Sequence, residues 1–136
     1  MQSTNSATSA DRAKVLIVDD NLQNLELLEA YMDELPEVEA LTATNGVDAL
    51  EKVAAHRPAV VLLDIMMPRM SGFEVCRHIK ADPKTRDISV VMVTALDELG
   101  DEERARECGA DRFLSKPVNR GELVGLVRDL IRLHRG

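Results

Sequence analysis

Asp19 and Asp20, Asp64, Thr94 and Lys116 each follow directly on a short apolar run. Lys14-Val15-Leu16-Ile17-Val18 leads into the acidic pair, and Val60-Val61-Leu62-Leu63 into Asp64. Val90-Val91-Met92-Val93 leads into Thr94, and Arg112-Phe113-Leu114-Ser115 into Lys116-Pro117. Runs of this length between turn signals read as buried strands. In a parallel sheet wrapped by helices, the carboxyl ends of the strands border the crevice where ligands bind. Three carboxylates, a hydroxyl and an ammonium are therefore expected at one rim.

Those residue types suit phosphoryl chemistry. Two adjacent carboxylates repel unless a cation sits between them and a third ligand, and Mg²⁺ favours carboxylates, waters and phosphate oxygens. The plainer reading of Asp19 and Asp20 is a solvated turn that caps a helix. Asp64, followed by Ile65-Met66-Met67-Pro68, could attack phosphorus and form an aspartyl phosphate. On its own it could equally begin a loop. Such a transfer needs charge neutralisation more than a base, because its transition state is loose. A Thr94 hydroxyl and a Lys116 ammonium could each bind a phosphoryl oxygen. Pro117 would fix the backbone after Lys116, and a cis bond would be a reason to place it there.

The elements that would hold these groups alternate. Strands are predicted near 14–18, 38–43, 59–63, 88–93 and 111–115. The first helix follows Asp20-Asn21, with Leu25, Leu28, Met32 and Leu35 on one face, and ends at Pro36. The second opens near Gly46, turns Leu50, Val53 and Ala54 inward and stops before Pro58. The third begins with the capping box Ser71-Gly72-Phe73-Glu74, buries Phe73, Cys76 and Ile79, and ends at Asp82-Pro83. The fourth, about 98–107, is the most polar, with Leu99, Ala105 and Cys108 available for burial and Gly109 as its C-terminal cap. The fifth runs from Asn119-Arg120-Gly121-Glu122 through Leu123, Leu126, Val127, Leu130 and Ile131. Alternation with short loops implies right-handed crossovers and a doubly wound, five-stranded parallel sheet of the α/β class.

The 136 residues suit a single domain, with residues 1–13 as a disordered polar tail ahead of a domain over 14–134. Aromatic residues are only 2%, so the core must be aliphatic. A formal charge of −7 and the lack of a basic stripe argue against direct contact with nucleic acid. No segment approaches the roughly 20 apolar residues of a membrane span, and no signal sequence is visible, so a cytoplasmic protein is expected. Cys76 and Cys108 lack metal-ligand spacing and read as buried packing residues.

The ordered set of motifs resembles the receiver domain of two-component response regulators, from Lys14 to Leu133. The matching residues are Asp19-Asp20, Leu62-Leu63-Asp64-Ile65-Met66-Met67-Pro68 with Gly72, Val93-Thr94-Ala95, Gly109-Ala110-Asp111 and Phe113-Leu114-Ser115-Lys116-Pro117. The intervals agree too: 44 residues from Asp20 to Asp64, 30 on to Thr94 and 22 on to Lys116. The resemblance implies a flavodoxin-like (βα)5 fold, as in chemotaxis regulators, with Asp64 as phosphoacceptor. It implies Mg²⁺ held by Asp20, Asp64 and the Met66 backbone carbonyl, with help from Asp19. Lys116 would contact the phosphoryl group, Thr94 would move toward it, and Phe113 would turn inward as the switch aromatic; ordinary core packing is the other reading of Phe113. The donor would be a sensor histidine kinase or a histidine phosphotransfer protein.

Met66 and Leu96 lie two residues beyond Asp64 and Thr94, where side chains overhang the phosphoryl site in this family. Neither can orient a water, so slow self-dephosphorylation is expected. The polar fourth helix is the expected mobile element, and the output surface would combine it with the fifth strand and fifth helix. Asp101, Glu102, Glu103, Arg104, Arg106 and Arg120 would present mixed charges there to a downstream protein or an output domain. The same face would serve a homodimer, although no exposed apolar stripe favours one. Competing functions are a phosphatase with a transient aspartyl phosphate, a non-phosphorylated interaction module, and a flavin-type cofactor binder. The phosphatase would want a second carboxylate where Met66 stands, and the cofactor binder a phosphate-cradling loop. Whether the domain stands alone or belongs to a longer regulator stays open at this point.

Overall fold

The computed structural model describes residues 12–95 and 99–135, leaving aside the side chains of residues 94, 99–102 and 135. Residues 1–11 of the expected tail and Leu96 therefore lie outside the described residues, as do the side chains of Thr94, Leu99, Asp101 and Glu102. In chain order the elements are β1 (Ala13–Val18), α1 (Leu22–Met32), β2 (Val38–Ala43), α2 (Gly46–His56) and β3 (Val60–Leu63). There follow α3 (Gly72–Ala81), β4 (Ser89–Thr94), α4 (Leu99–Glu107), β5 (Arg112–Ser115) and α5 (Arg120–Arg135). All five strands are parallel, in the order β2-β1-β3-β4-β5. The order reverses between β1 and β3, and it is at such a switch point that a crevice opens.

Successive residues of a strand face opposite sides of the sheet, and here both sides are covered. Leu16, Val18, Val61, Leu63, Val90 and Met92 pack under Ala49, Val53, Phe73, Cys76, Ile79 and Ala105 of α2, α3 and α4. Val15, Ile17, Leu62, Val91 and Leu114 pack under Leu25, Leu28 and Met32 of α1 and Leu123, Val127, Leu130 and Ile131 of α5. Each such aliphatic side chain contributes roughly 1.5–3 kcal/mol when fully withdrawn from water. Cys76 and Cys108 are free thiols inside the first of these layers. The Cys76 thiol donates to the Cys108 carbonyl at 3.4 Å, and the Cys108 thiol to the Ala105 carbonyl at 3.0 Å. They are packing residues, as expected.

Caps set the helix ends. The side chains of Asn21, Asn45 and Asn119 accept the backbone N–H three residues on, opening α1, α2 and α5. Ser71 and Glu74 form the reciprocal capping box of α3, and Asp82, held extended by Pro83, closes it. Gly109, at φ +96, provides the left-handed turn after α4.

Three expectations need correction. The first helix ends at Met32 rather than at Pro36, because Asp33–Glu37 form a turn in which Leu35 N–H donates to the Met32 carbonyl at 2.9 Å. Ala54 is exposed; the inward face of α2 is Gly46, Ala49 and Val53, and Ala54 lies one helical step around from it. β1 begins at Ala13, whose N–H donates to the Glu37 carbonyl at 2.8 Å, so the ladder starts one residue inside the expected tail.

Candidate functional site

The register brings the strand ends level. Val18 is paired with both Ala43 and Leu63, Leu63 with Met92, and Thr94 with Ser115. The ladder continues one residue further into the acids: Asp19 N–H donates to the Ala43 carbonyl at 3.1 Å, and Asp64 N–H to the Val18 carbonyl at 3.0 Å. Backbone hydrogen bonds therefore set the roots of Asp19 and Asp64 side by side before any side-chain contact is made.

Among the described residues, Asp19, Asp20 and Asp64 form one acidic group, each offering a carboxylate oxygen within 4.8 Å of the others. Asp19 and Asp64 are 2% and 6% exposed, while Asp20 is open to solvent. Asp19 Oδ1 accepts the Asn21 N–H at 2.9 Å, which aims its second oxygen into the site. Lys116, just after β5, reaches across the rim: its Nζ donates to Asp19 Oδ2 at 3.1 Å and stands 3.5 Å from Asp64 Oδ1. The Lys116–Pro117 peptide is cis.

The charges do not balance, since three carboxylates face one ammonium. Burial raises the Asp64 carboxyl to about 6 from an ordinary 3.8; Lys116 opposes this, and the charges of Asp19 and Asp20 add to it. Excess negative charge on hard oxygen donors is what a divalent cation relieves, so the donor set fits Mg²⁺.

Gly72 holds the loop after Asp64 closed. Its N–H donates to the Ile65 carbonyl at 2.9 Å, and a β-carbon there would stand 2.2 Å from the Asp64 carbonyl oxygen. No other residue fits without moving Asp64. Arg69, in the same loop, adopts φ +70. Met66 is 63% exposed and borders the cleft beside Asp20.

Three arrangements carried no sequence signal. Lys116 pairs with Asp19, 97 positions away, as well as facing Asp64. Arg104 of α4 stacks on Phe73 of α3, its guanidinium carbon 4.3 Å from the ring centroid, and lines a cleft with Asp20, Met66, Met67 and Ser71. A groove beside Lys116 runs between α1 and the segment after β5, lined by Asn24, Leu27, Tyr31, Pro117 and Val118.

Of the residues expected on the output face, Glu103, Arg104, Arg106 and Arg120 are exposed. Arg120 pairs with Glu34 and so is directed toward the end of α1, and Arg104 is turned to α3. Phe113 is half-buried against the core and borders a groove with Ala105, Arg106 and Ala110.

A level strand rim, a triple-acid cluster and one bridging lysine are now joined by a family match: the response regulator receiver domain model covers residues 15–128. The chain belongs to the response-regulator receiver domains. It is 36% identical over 117 residues to the polar-differentiation response regulator DivK of Brucella anthropi, covering 86% of this chain and 94% of DivK. It is 47% identical over 120 residues to the response regulator PleD of Caulobacter vibrioides, covering 88% of this chain. The match spans only about a quarter of PleD, 26% of its length. The crystal structure of the chemotaxis protein CheY4 of Vibrio cholerae superposes with a TM-score of 0.81 at 27% identity, over 88% of this chain and 98% of that one. Receiver domains are signalling modules of two-component systems rather than conventional enzymes, and they bind Mg²⁺ at an acidic pocket. Among the described residues, no helix is long and apolar enough to cross a membrane.

Proposed function

We propose that this receiver accepts a phosphoryl group on Asp64 from a phosphohistidine and uses the acquired charge to reset a protein-binding face. The observation that carries this reading is the reach of Lys116 to both Asp19 and Asp64 within the triple-acid cluster. An Asp64 oxygen attacks phosphorus; the donor's P–N bond breaks, its electron pair stays on the imidazole nitrogen, and a P–O bond forms. Mg²⁺ held by Asp19, Asp20, Asp64 and the Met66 carbonyl would neutralise charge on the transferring group. Lys116 binds a phosphoryl oxygen, exchanging its carboxylate partners for the new anion. Thr94 senses the group from the end of β4, and Phe113 turns further inward as α4 resettles. The switching domain runs from β1 to α5, residues 13–135, and the protein acts in the cytoplasm.

The donor is a sensor kinase or a histidine phosphotransfer protein. Its docking place is the groove between α1 and the segment after β5, which opens beside Lys116 and is lined in part by the exposed Leu27. Output passes through α4, β5 and α5 to a downstream protein or an attached domain, with Glu103, Arg104, Arg106 and Arg120 among the charged residues of that face.

The phosphorylated form decays slowly on this account. A water attacking the aspartyl phosphate must be oriented, and the thioether of Met66 accepts only weak hydrogen bonds. Met66→Asn is expected to speed phosphate loss by about 3- to 10-fold, within the range of one added polar contact. Release of phosphate from the isolated phosphorylated protein measures this, and equal rates would sink the idea.

Incubation with acetyl phosphate and Mg²⁺ tests the reading as a whole. A lasting mass gain of one phosphoryl group supports a receiver. Continuous phosphate release far beyond one equivalent supports a phosphatase, and no reaction at all supports a bare interaction module.

A further inference from the structure

We propose that Arg104 determines how well this receiver takes phosphoryl groups from small anionic donors, acyl phosphates and phosphoramidates, by holding their negative charge in the cleft between Phe73 and Asp20. This inference rests on the assignment of Asp64 as phosphoacceptor. Such a donor is an anion approaching a protein of net charge −7, at a site with three carboxylates. Lys116 cannot serve as a free attractor, because it already stands 3.1 Å from Asp19 and 3.5 Å from Asp64. Arg104 comes from the other side of the site. It is exposed on α4, and it lines the same cleft as Asp20, Met66, Met67 and Ser71, next to the loop that carries Asp64. Its guanidinium lies 4.3 Å from the centre of the Phe73 ring. A guanidinium held over a ring by a cation–π contact still has N–H groups to offer an anion, and the ring limits the rotamers it must give up on binding. Phe73 therefore acts as the platform and Arg104 as the charge. A phosphohistidine presented by a protein brings its own contact surface and depends on Arg104 less.

The test is the second-order rate of Asp64 phosphorylation by acetyl phosphate and by phosphoramidate in saturating Mg²⁺, for wild type, Arg104→Lys, Arg104→Ala and Arg104→Glu. Each variant's melting temperature is recorded alongside. Arg104→Ala is expected to lower the rate by about 3- to 10-fold, the size of one exposed charge acting on a dianion through water. The order expected is wild type, then Lys, then Ala, then Glu. The differences should appear in the donor concentration needed rather than in the maximal rate, and added salt should shrink them. Equal rates in all four proteins overturn the proposal. A loss that is the same for Lys, Ala and Glu also overturns it, since that marks Arg104 as packing over Phe73. A wild type that takes no phosphoryl group on Asp64 overturns the phosphoacceptor assignment, and this inference with it.

Discussion

Lys116→Ala is expected to slow phosphorylation of Asp64 by roughly 10²–10³-fold, the usual cost of removing one preorganised charge from a developing anion. Lys116 is the one cation observed against the acidic cluster among the described residues, 3.1 Å from Asp19 and 3.5 Å from Asp64. In the resting protein it offsets two buried carboxylates, and during transfer it is the ammonium that can follow charge onto the phosphoryl oxygens. A loose transition state leaves the protein little to do beyond placing such charges. Arg at this position should recover little, because its planar fork cannot repeat the ammonium's approach to two carboxylates. Labelling rates with acetyl phosphate in saturating Mg²⁺ measure the effect. A loss under threefold would mean that Lys116 is only a structural counter-ion.

Asp64→Asn is expected to make the metal-free protein more stable at neutral pH while ending its function. Burial holds the folded Asp64 carboxyl at about 6, against 3.8 for an ordinary one, with Asp19 and Asp20 adding to the shift and Lys116 opposing it. A carboxyl raised in the folded state binds its proton more tightly folded than unfolded. Stability is therefore lost as pH rises between those two values, and above about pH 6 the whole penalty is in place. At pH 7–8 in chelator, removing the charge is expected to gain about 1–3 kcal/mol, or several degrees in melting temperature for a domain of this size. Near pH 4 the advantage should vanish. Mg²⁺ should stabilise the wild type more than the variant, since it would bind the folded site of the one and find a ligand missing in the other. Thermal melts with and without chelator across this pH range decide the matter. An Asn variant that is less stable than wild type at pH 7.5 in chelator would contradict the electrostatic account.

Most of what positions the site was legible in the sequence. Apolar runs ending in Asp19, Asp64, Thr94 and Lys116 mark strand ends, and parallel pairing necessarily brings such ends to one rim. The caps at Asn21, Ser71 and Asn119, and the left-handed Gly109, follow from local backbone demands that a few adjacent residues satisfy. What escaped depends on the reach of long polar side chains. Nothing in the spacing told that Lys116 would span the rim to Asp19, that Arg104 would lie on Phe73, or that Arg120 would turn to Glu34. Periodicity reports which face of a helix is apolar, and is silent about where a flexible cation comes to rest. Ala54 went wrong for a related reason. Alanine carries too little hydrophobic area to mark a face, and only the pairing of Ala49 with Val53 shows which side of α2 is buried. The first helix stopped before Pro36 because a turn from Asp33 already satisfied its last carbonyls.

On the proposed reading, the four strand ends build one acceptor site and Asp64 is the acceptor. The most direct measurement is to treat the protein with acetyl phosphate and Mg²⁺, reduce the acyl phosphate with borohydride, and locate the product by peptide mass spectrometry. Conversion of Asp64 to homoserine, with Asp19 and Asp20 unchanged and no reaction in chelator, is the result expected. Conversion at Asp19 or Asp20, or an unmodified Asp64 under conditions where the protein carries phosphate, would contradict it.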